Sequence, residues 1–141
     1  MNVQLSHEAT TFNWLLGNFT SSTAGVKETI AVSSDGLLIA MSSVRERSSA
    51  ERLAAVVSGI VSLTSGAASA YPLGTLNRII VDMADGYVLI TAISGGSVLG
   101  VIADRSAKLG PIAYEMTQFV DRVGGALTPQ LVDELKNAVQ A

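Results

Sequence analysis

Catalysis near neutral pH calls on a histidine, a thiol, paired carboxylates or a phosphate-cradling loop, and this chain offers little of each. Its one histidine, His7, lies in the first turn of an N-terminal helix, where a solvated side chain is expected. Cysteine is absent, which removes thiolate nucleophiles, disulfides and cysteine-held zinc and suits a reducing cytoplasm. A Ser-His-Asp triad would have to use His7, and the serines fall in loop-forming stretches with no nucleophile elbow. One histidine and dispersed carboxylates give no metal-ligand spacing. Glu115 and Asp121 read as a solvated helix face. Neither GxxxxGK[ST] nor GxGxxG occurs, so no nucleotide site is recognisable. Ser94-Gly95-Gly96-Ser97 looks like a phosphate loop, but it joins two apolar runs with no helix N-terminus behind it and reads as a hairpin turn. Trp14 and Tyr114 read as core or interface aromatics. No catalytic, cofactor or metal site emerges, and elimination leaves a binding protein.

The charge pattern narrows the partners. Net charge is −3, and the nine basic residues (Lys27, Arg45, Arg47, Arg52, Arg78, Arg105, Lys108, Arg122, Lys136) are scattered singly. No basic stripe could neutralise several phosphates, so nucleic acid is an unfit partner. Met1 to Thr10 has neither the basic nor the apolar region of a signal peptide, and a cytoplasmic protein is expected. Hydrophobic residues make up 48% and charged residues 15% of the 141, with mean hydropathy +0.42. That apolar excess predicts a large oligomer interface. Between Arg52 and Arg78 there is no charge. Ser58, Gly59, Ser62, Thr64, Ser65, Gly66 and Ser69 dilute this stretch, which predicts a buried or interface helix with no membrane insertion.

Periodicity supplies the elements that would carry such an interface. Ser6 caps a helix from about His7 to Phe19, with Phe12, Leu15, Leu16 and Phe19 on one face. Val26 to Val32 reads as a strand with Val26, Glu28, Ile30 and Val32 sharing a face. Asp35-Gly36 turns it into a second strand, Leu37 to Met41. After a polar connection, Ser42 to Ser49, Ser48 or Ser49 caps a long helix from Ala50 to about Ala70. Leu53, Val56, Val57, Ile60, Leu63 and Thr64 form its apolar stripe, and the opposite side is small. A helix with no charged face is expected to be buried all round. Strands follow at Leu76 to Met83, Tyr87 to Ile93 and Ser97 to Ala103, joined by turns short enough to force antiparallel pairing. Their almost continuous apolar character predicts a sheet covered on both faces. Pro111 suits the first turn of a helix from about Gly110 to Val123. Leu127-Thr128-Pro129 then caps a tail helix, about 129–139, with Leu131, Val132, Leu135 and Val139 inside and Asp133, Glu134 and Lys136 outside. The whole, residues 1–141, reads as one domain of the α+β class.

Several phrases in their order carry a resemblance: Phe12-Asn13-Trp14-Leu15-Leu16 with Gly25-Val26, and Ser33-Ser34-Asp35-Gly36-Leu37-Leu38. So do Ala50-Glu51-Arg52-Leu53-Ala54-Ala55 with Ser58-Gly59, then Gly86, Leu109-Gly110, Ala113-Tyr114-Glu115-Met116 and Leu127-Thr128-Pro129. Together, over about residues 12–137, the chain resembles the Roadblock/dynein-light-chain family, particularly bacterial members encoded beside small GTPases. The resemblance implies a three-layer α/β/α fold of the Roadblock, longin and profilin layout. In it a five-stranded antiparallel sheet carries one long helix on one face and the terminal helices on the other. It implies a homodimer formed by pairing the third strands and packing the long helices, with Leu76, Arg78, Ile80, Asp82, Ser58 and Ser62 at the interface. It further implies a non-enzymatic regulator of a Ras-like small GTPase, either an activator or a scaffold in a signalling complex, with a membrane sensor kinase complex as a further partner. Glu51, Arg52, Ala55 and Ser58 are the candidate partner-binding residues on the paired long helices, and the tail helix is a second candidate contact. Asp82 departs from the family pattern, where many bacterial relatives carry Glu. Two alternatives stand beside this reading. One is a structural adaptor without effect on GTP turnover. The other is a profilin-like or PAS-like sensor holding a small ligand against the sheet, for which Thr91 and Asp82 are the inward polar candidates.

Overall fold

The computed structural model describes residues 4–42 and 46–140. In chain order the elements are α1 (His7–Ser22), β1 (Val26–Val32), β2 (Leu38–Met41), α2 (Arg47–Ala70), β3 (Arg78–Met83), β4 (Gly86–Ala92), β5 (Val98–Asp104), α3 (Leu109–Val123) and α4 (Pro129–Gln140). The five strands form one antiparallel sheet in the order β2-β1-β5-β4-β3. Residues 43–45, part of the expected polar connection and including Arg45, lie outside the described residues.

Local chemistry accounts for the elements. The Ser6 hydroxyl accepts a hydrogen bond from the Ala9 N–H and caps α1, and Thr128 does the same for Leu131 at the start of α4. Gly36, at φ +82°, closes the β1–β2 turn through a hydrogen bond from its N–H to the Ser33 carbonyl. A Cβ at Gly96 would lie 2.7 Å from the Ser34 Cβ, so a bare glycine lets the β4–β5 turn seat against the β1–β2 turn.

The sheet separates two cores. On one face Ile30, Val32, Leu38, Ile90 and Val98 pack against Ala54 and Val57 of α2. The other face holds the larger cluster, with Phe12, Leu16 and Phe19 from α1, Ile112, Met116 and Phe119 from α3, and Leu131 and Leu135 from α4. Phe119 meets Phe12 edge-on at 6.0 Å and Phe19 at 5.8 Å between ring centroids. The α/β/α layering expected from the sequence is therefore the observed one.

Several expectations need correction. Val26 does not share a face with Glu28, Ile30 and Val32: the pairing jumps between Val26 and Glu28, and this bulge at Lys27 turns Val26 to the opposite core. Helix α2 starts at Arg47, with Ser48 and Ser49 inside it and Glu46 at its cap making no side-chain bond. The extra turn is held instead by the Arg47–Glu51 pair and by a hydrogen bond from Arg47 to the Val139 carbonyl. Nor is α2 buried all round, since Ala54 and Val57 are its buried residues while Val56 and Leu63 are 53% and 81% exposed. One side of the helix lies on the sheet, and among the described residues none covers the other. Coverage of the sheet is also uneven, because Ile80 on β3 remains 47% exposed.

Glu134 and Lys136 of α4, expected in solvent, are also engaged. The Ser6 N–H and hydroxyl both donate to Glu134 at 2.7 Å, and Lys136 donates to Asp35 at 3.1 Å. The Ser33 hydroxyl and then Lys136 hold the Asp35 pKa below its ordinary value, and the Ser6 N–H and then its hydroxyl do the same for Glu134. A carboxylate whose pKa falls on folding stabilises the fold above its unfolded value, and this contribution is lost as pH drops through the folded one. The hold on α4 is therefore expected to weaken from about pH 4 downward. Amide exchange of residues 129–140, corrected for intrinsic rates, should show protection lost in that window, and Lys136→Met with Glu134→Gln should flatten the dependence.

Candidate protein interface

Two exposed apolar features follow one another in the chain. The first is the outer side of α2, where Ala55, Gly59, Ser62 and Gly66 recur at alternating spacings of four and three residues. Val56, Leu63 and Ala67 flank that seam in solvent. Beyond the helix, Tyr71 and Leu73 are each 67% exposed. By length and composition α2 could cross a membrane, but here it lies along the sheet with Val57 over Gly100. The second feature is β3, an edge strand paired on one side with β4, from which Ile80 and Met83 project. Unpaired edges invite another strand.

Each sequence-selected residue has a definite place. Ala55 and Ser62 lie exposed on the outer seam, and Glu51 and Arg52 lie exposed near its N-terminal end, where Arg47 pairs with Glu51 at 3.0 Å. Ser58 is half-buried on the flank: its hydroxyl would be 3.0 Å from a Cβ at Gly36, so it faces the β1–β2 turn. Leu76 is half-buried just before β3. Arg78 donates to Thr117 Oγ1 at 3.0 Å and to the Ala113 carbonyl at 3.5 Å, reaching across to α3. Asp82 pairs with Arg105, which also donates to the Met83 carbonyl at 3.1 Å and stacks 4.9 Å from the Tyr87 ring centroid. Two arginines thus brace the open strand near its ends, with Ile80 between them.

Sequence reasoning missed Val56, Leu63, Gly59 and Gly66 as surface residues and Arg105 as a brace. The four-three recurrence of small residues was the available signal for the seam. Arg105 sits alone in a turn and carries none.

Among the described residues no three His, Cys, Asp or Glu side chains gather as metal ligands, and His7 is exposed. Clefts of about 550 Å³ (between Ser22–Gly25 and Asp104–Pro111) and about 270 Å³ (between the β1–β2 and β4–β5 turns and α4) are open to solvent. Thr91 and Asp82, the polar groups suggested for a sensor site, line neither, although the Thr91 hydroxyl is buried without a partner.

Comparison with known proteins agrees with this architecture. No curated protein matches the sequence. Among solved structures, a Roadblock/LC7 domain from Streptomyces avermitilis is 25% identical and superposes with TM-score 0.77 over 82% of this chain and 96% of its own. MglB of Myxococcus xanthus is 22% identical, with TM-score 0.78 over 92% of this chain and 96% of its own. Profilin IA of Acanthamoeba castellanii shares the layout at 13% identity and TM-score 0.55, over 82% of this chain and 98% of its own. The family model for the Roadblock/LC7 domain matches residues 12–103, running from α1 through the last strand and including both α2 and the open β3. With most of its length under that model and the five-stranded, helix-flanked sheet in place, the chain belongs to the Roadblock/LC7 family.

Proposed function

We propose that this chain is a homodimeric, non-enzymatic regulator of a Ras-like small GTPase, acting in a cytoplasmic signalling complex. The observation that carries it is the outer side of α2, exposed yet uncharged from Leu53 to Ala70. Leaving Val56 and Leu63 in water is unfavourable, and a twin helix would cover them. Pairing of β3 with its twofold mate would join the two sheets edge to edge. Two α2 helices side by side then present a shallow apolar groove rimmed by Glu51 and Arg52, where charge tunes association rate and specificity.

The seam residues separate a solvent face from an interface. A Cβ at Gly59 or Gly66 meets nothing within 4 Å in the protomer. Gly→Ala there should stabilise an isolated helix by about 0.5–1 kcal/mol each. If a twin helix packs against the seam, the same change should instead weaken the dimer, so a rise in melting temperature with unchanged dimerisation would place the contact elsewhere.

Ala55→Arg is expected to abolish capture of the GTPase, while Arg52→Glu should give a milder, salt-dependent loss. Light scattering on both variants distinguishes a lost partner from a lost dimer. Equal GTPase capture by Ala55→Arg and wild type would move the partner site off α2.

A further inference from the structure

The two edges of this sheet are treated differently. β3 is open on its outer side. β2, at the opposite margin and four residues long, has α4 packed directly against it. Leu131 and Leu135 of α4 sit in the core shared with α1 and α3, whereas Val139 packs into the core beneath α2. The helix therefore wraps the margin of β2 from one face of the sheet to the other. Three polar contacts fasten it to three separate elements: Glu134 to Ser6 at the cap of α1, Lys136 to Asp35 in the β1–β2 turn, and Arg47 at the start of α2 to the Val139 carbonyl at 3.0 Å.

We propose that α4 is a strand-edge cover whose role is to confine self-association to the β3 side. A sheet with two open edges can add copies at both, and such contacts propagate unless a twofold axis closes them. With β2 covered, a second copy can pair at β3 alone, and the assembly stops at two. The occupant that α4 excludes is the strand edge of another copy of this chain. The inference rests on the dimer reading above for its wild-type state, and the test separates the two.

The test uses the full chain with Leu131→Asp and Leu135→Asp, which detach α4, followed by sedimentation velocity across a concentration series. Wild type is expected to stay at twice 14.6 kDa. The variant is expected to grow beyond it as concentration rises, with the amides of residues 38–41 becoming protected from exchange in the larger species. Should that variant lose its far-UV circular dichroism, Lys136→Glu with Glu134→Lys reverses the polar fastenings while keeping the apolar ones, and the same growth is expected. Folded variants that remain at the wild-type mass overturn the proposal. Growth in which residues 38–41 exchange freely is indiscriminate sticking and overturns it as well. A wild type that sediments as a monomer sinks the dimer reading but leaves the cover standing if the variants self-associate through residues 38–41. Monomers throughout sink both.

Discussion

Placing glutamate at both Val56 and Leu63 is expected to convert the protein to a 14.6 kDa monomer at micromolar concentration. Both side chains are largely in water in the protomer, 53% and 81% exposed, so the substitution removes little intramolecular packing and α2 should keep its helicity. In the dimer each is expected to be covered by the twin helix. In a twofold dimer the loss counts in both protomers, roughly 3–6 kcal/mol on each side, which raises the dissociation constant by about four orders of magnitude or more. Carboxylates left in an apolar contact without partners cost more again. Sedimentation equilibrium with circular dichroism checks both halves. A folded variant that is still dimeric would show that the outer side of α2 faces solvent or a different partner.

Gly100→Val is expected to destabilise the protomer by overpacking the layer between α2 and the sheet. Gly100 lies near the centre of β5, beneath Val57 of α2. A Cβ there would sit 3.2 Å from both Ile30 Cγ1 and Val57 Cγ2, and valine adds two further methyls. Ile30 and Val57 are 2% and 0% exposed, so neither has room to yield. Overpacking of this kind costs about 1–3 kcal/mol. In a chain of this size that lowers the melting temperature by about 2–4 °C per kcal/mol. The damage should reach association too, because a lifted α2 no longer holds its outer seam against a twin. Gly17→Ala is the matched control: its Cβ meets nothing within 4 Å, and the change should be neutral or slightly stabilising. Equal melting temperatures for the two variants would mean that α2 is not seated on Gly100.

The contrast between these helices shows where sequence reading succeeds. Phe12, Leu16 and Phe19 on α1 point inward as their spacing requires, because polar residues, with the exposed Trp14 among them, mark the other side. Asp35-Gly36 and Gly95-Gly96 announced their turns, since their backbone conformations favour glycine. Helix α2 gave no such contrast: with no charged side, only the faint four-three recurrence of small residues separated Val56, which faces out, from Val57, which meets the sheet. The bulge at Lys27 was equally illegible, because period-two alternation assumes an unbroken ladder. Contacts such as Glu134 with Ser6 and Lys136 with Asp35 join residues 128 and 101 positions apart, and no local pattern encodes them. Arg78 and Asp82 were selected for the strand edge. Their engagement with Thr117 and Arg105 became visible only when the fold placed α3 and β5 alongside.

The central claim is that this Roadblock/LC7 chain, as a dimer, engages a Ras-like GTPase through the paired α2 surface. Its most direct test is binding of the wild-type dimer to the Ras-like GTPases of the same organism, each loaded with GDP or a non-hydrolysable GTP analogue. The account predicts a complex that depends on the bound nucleotide and weakens, in a salt-dependent way, with Arg52→Glu while the dimer survives. Absence of binding in both nucleotide states, or binding that ignores both the nucleotide and the α2 variant, would contradict it.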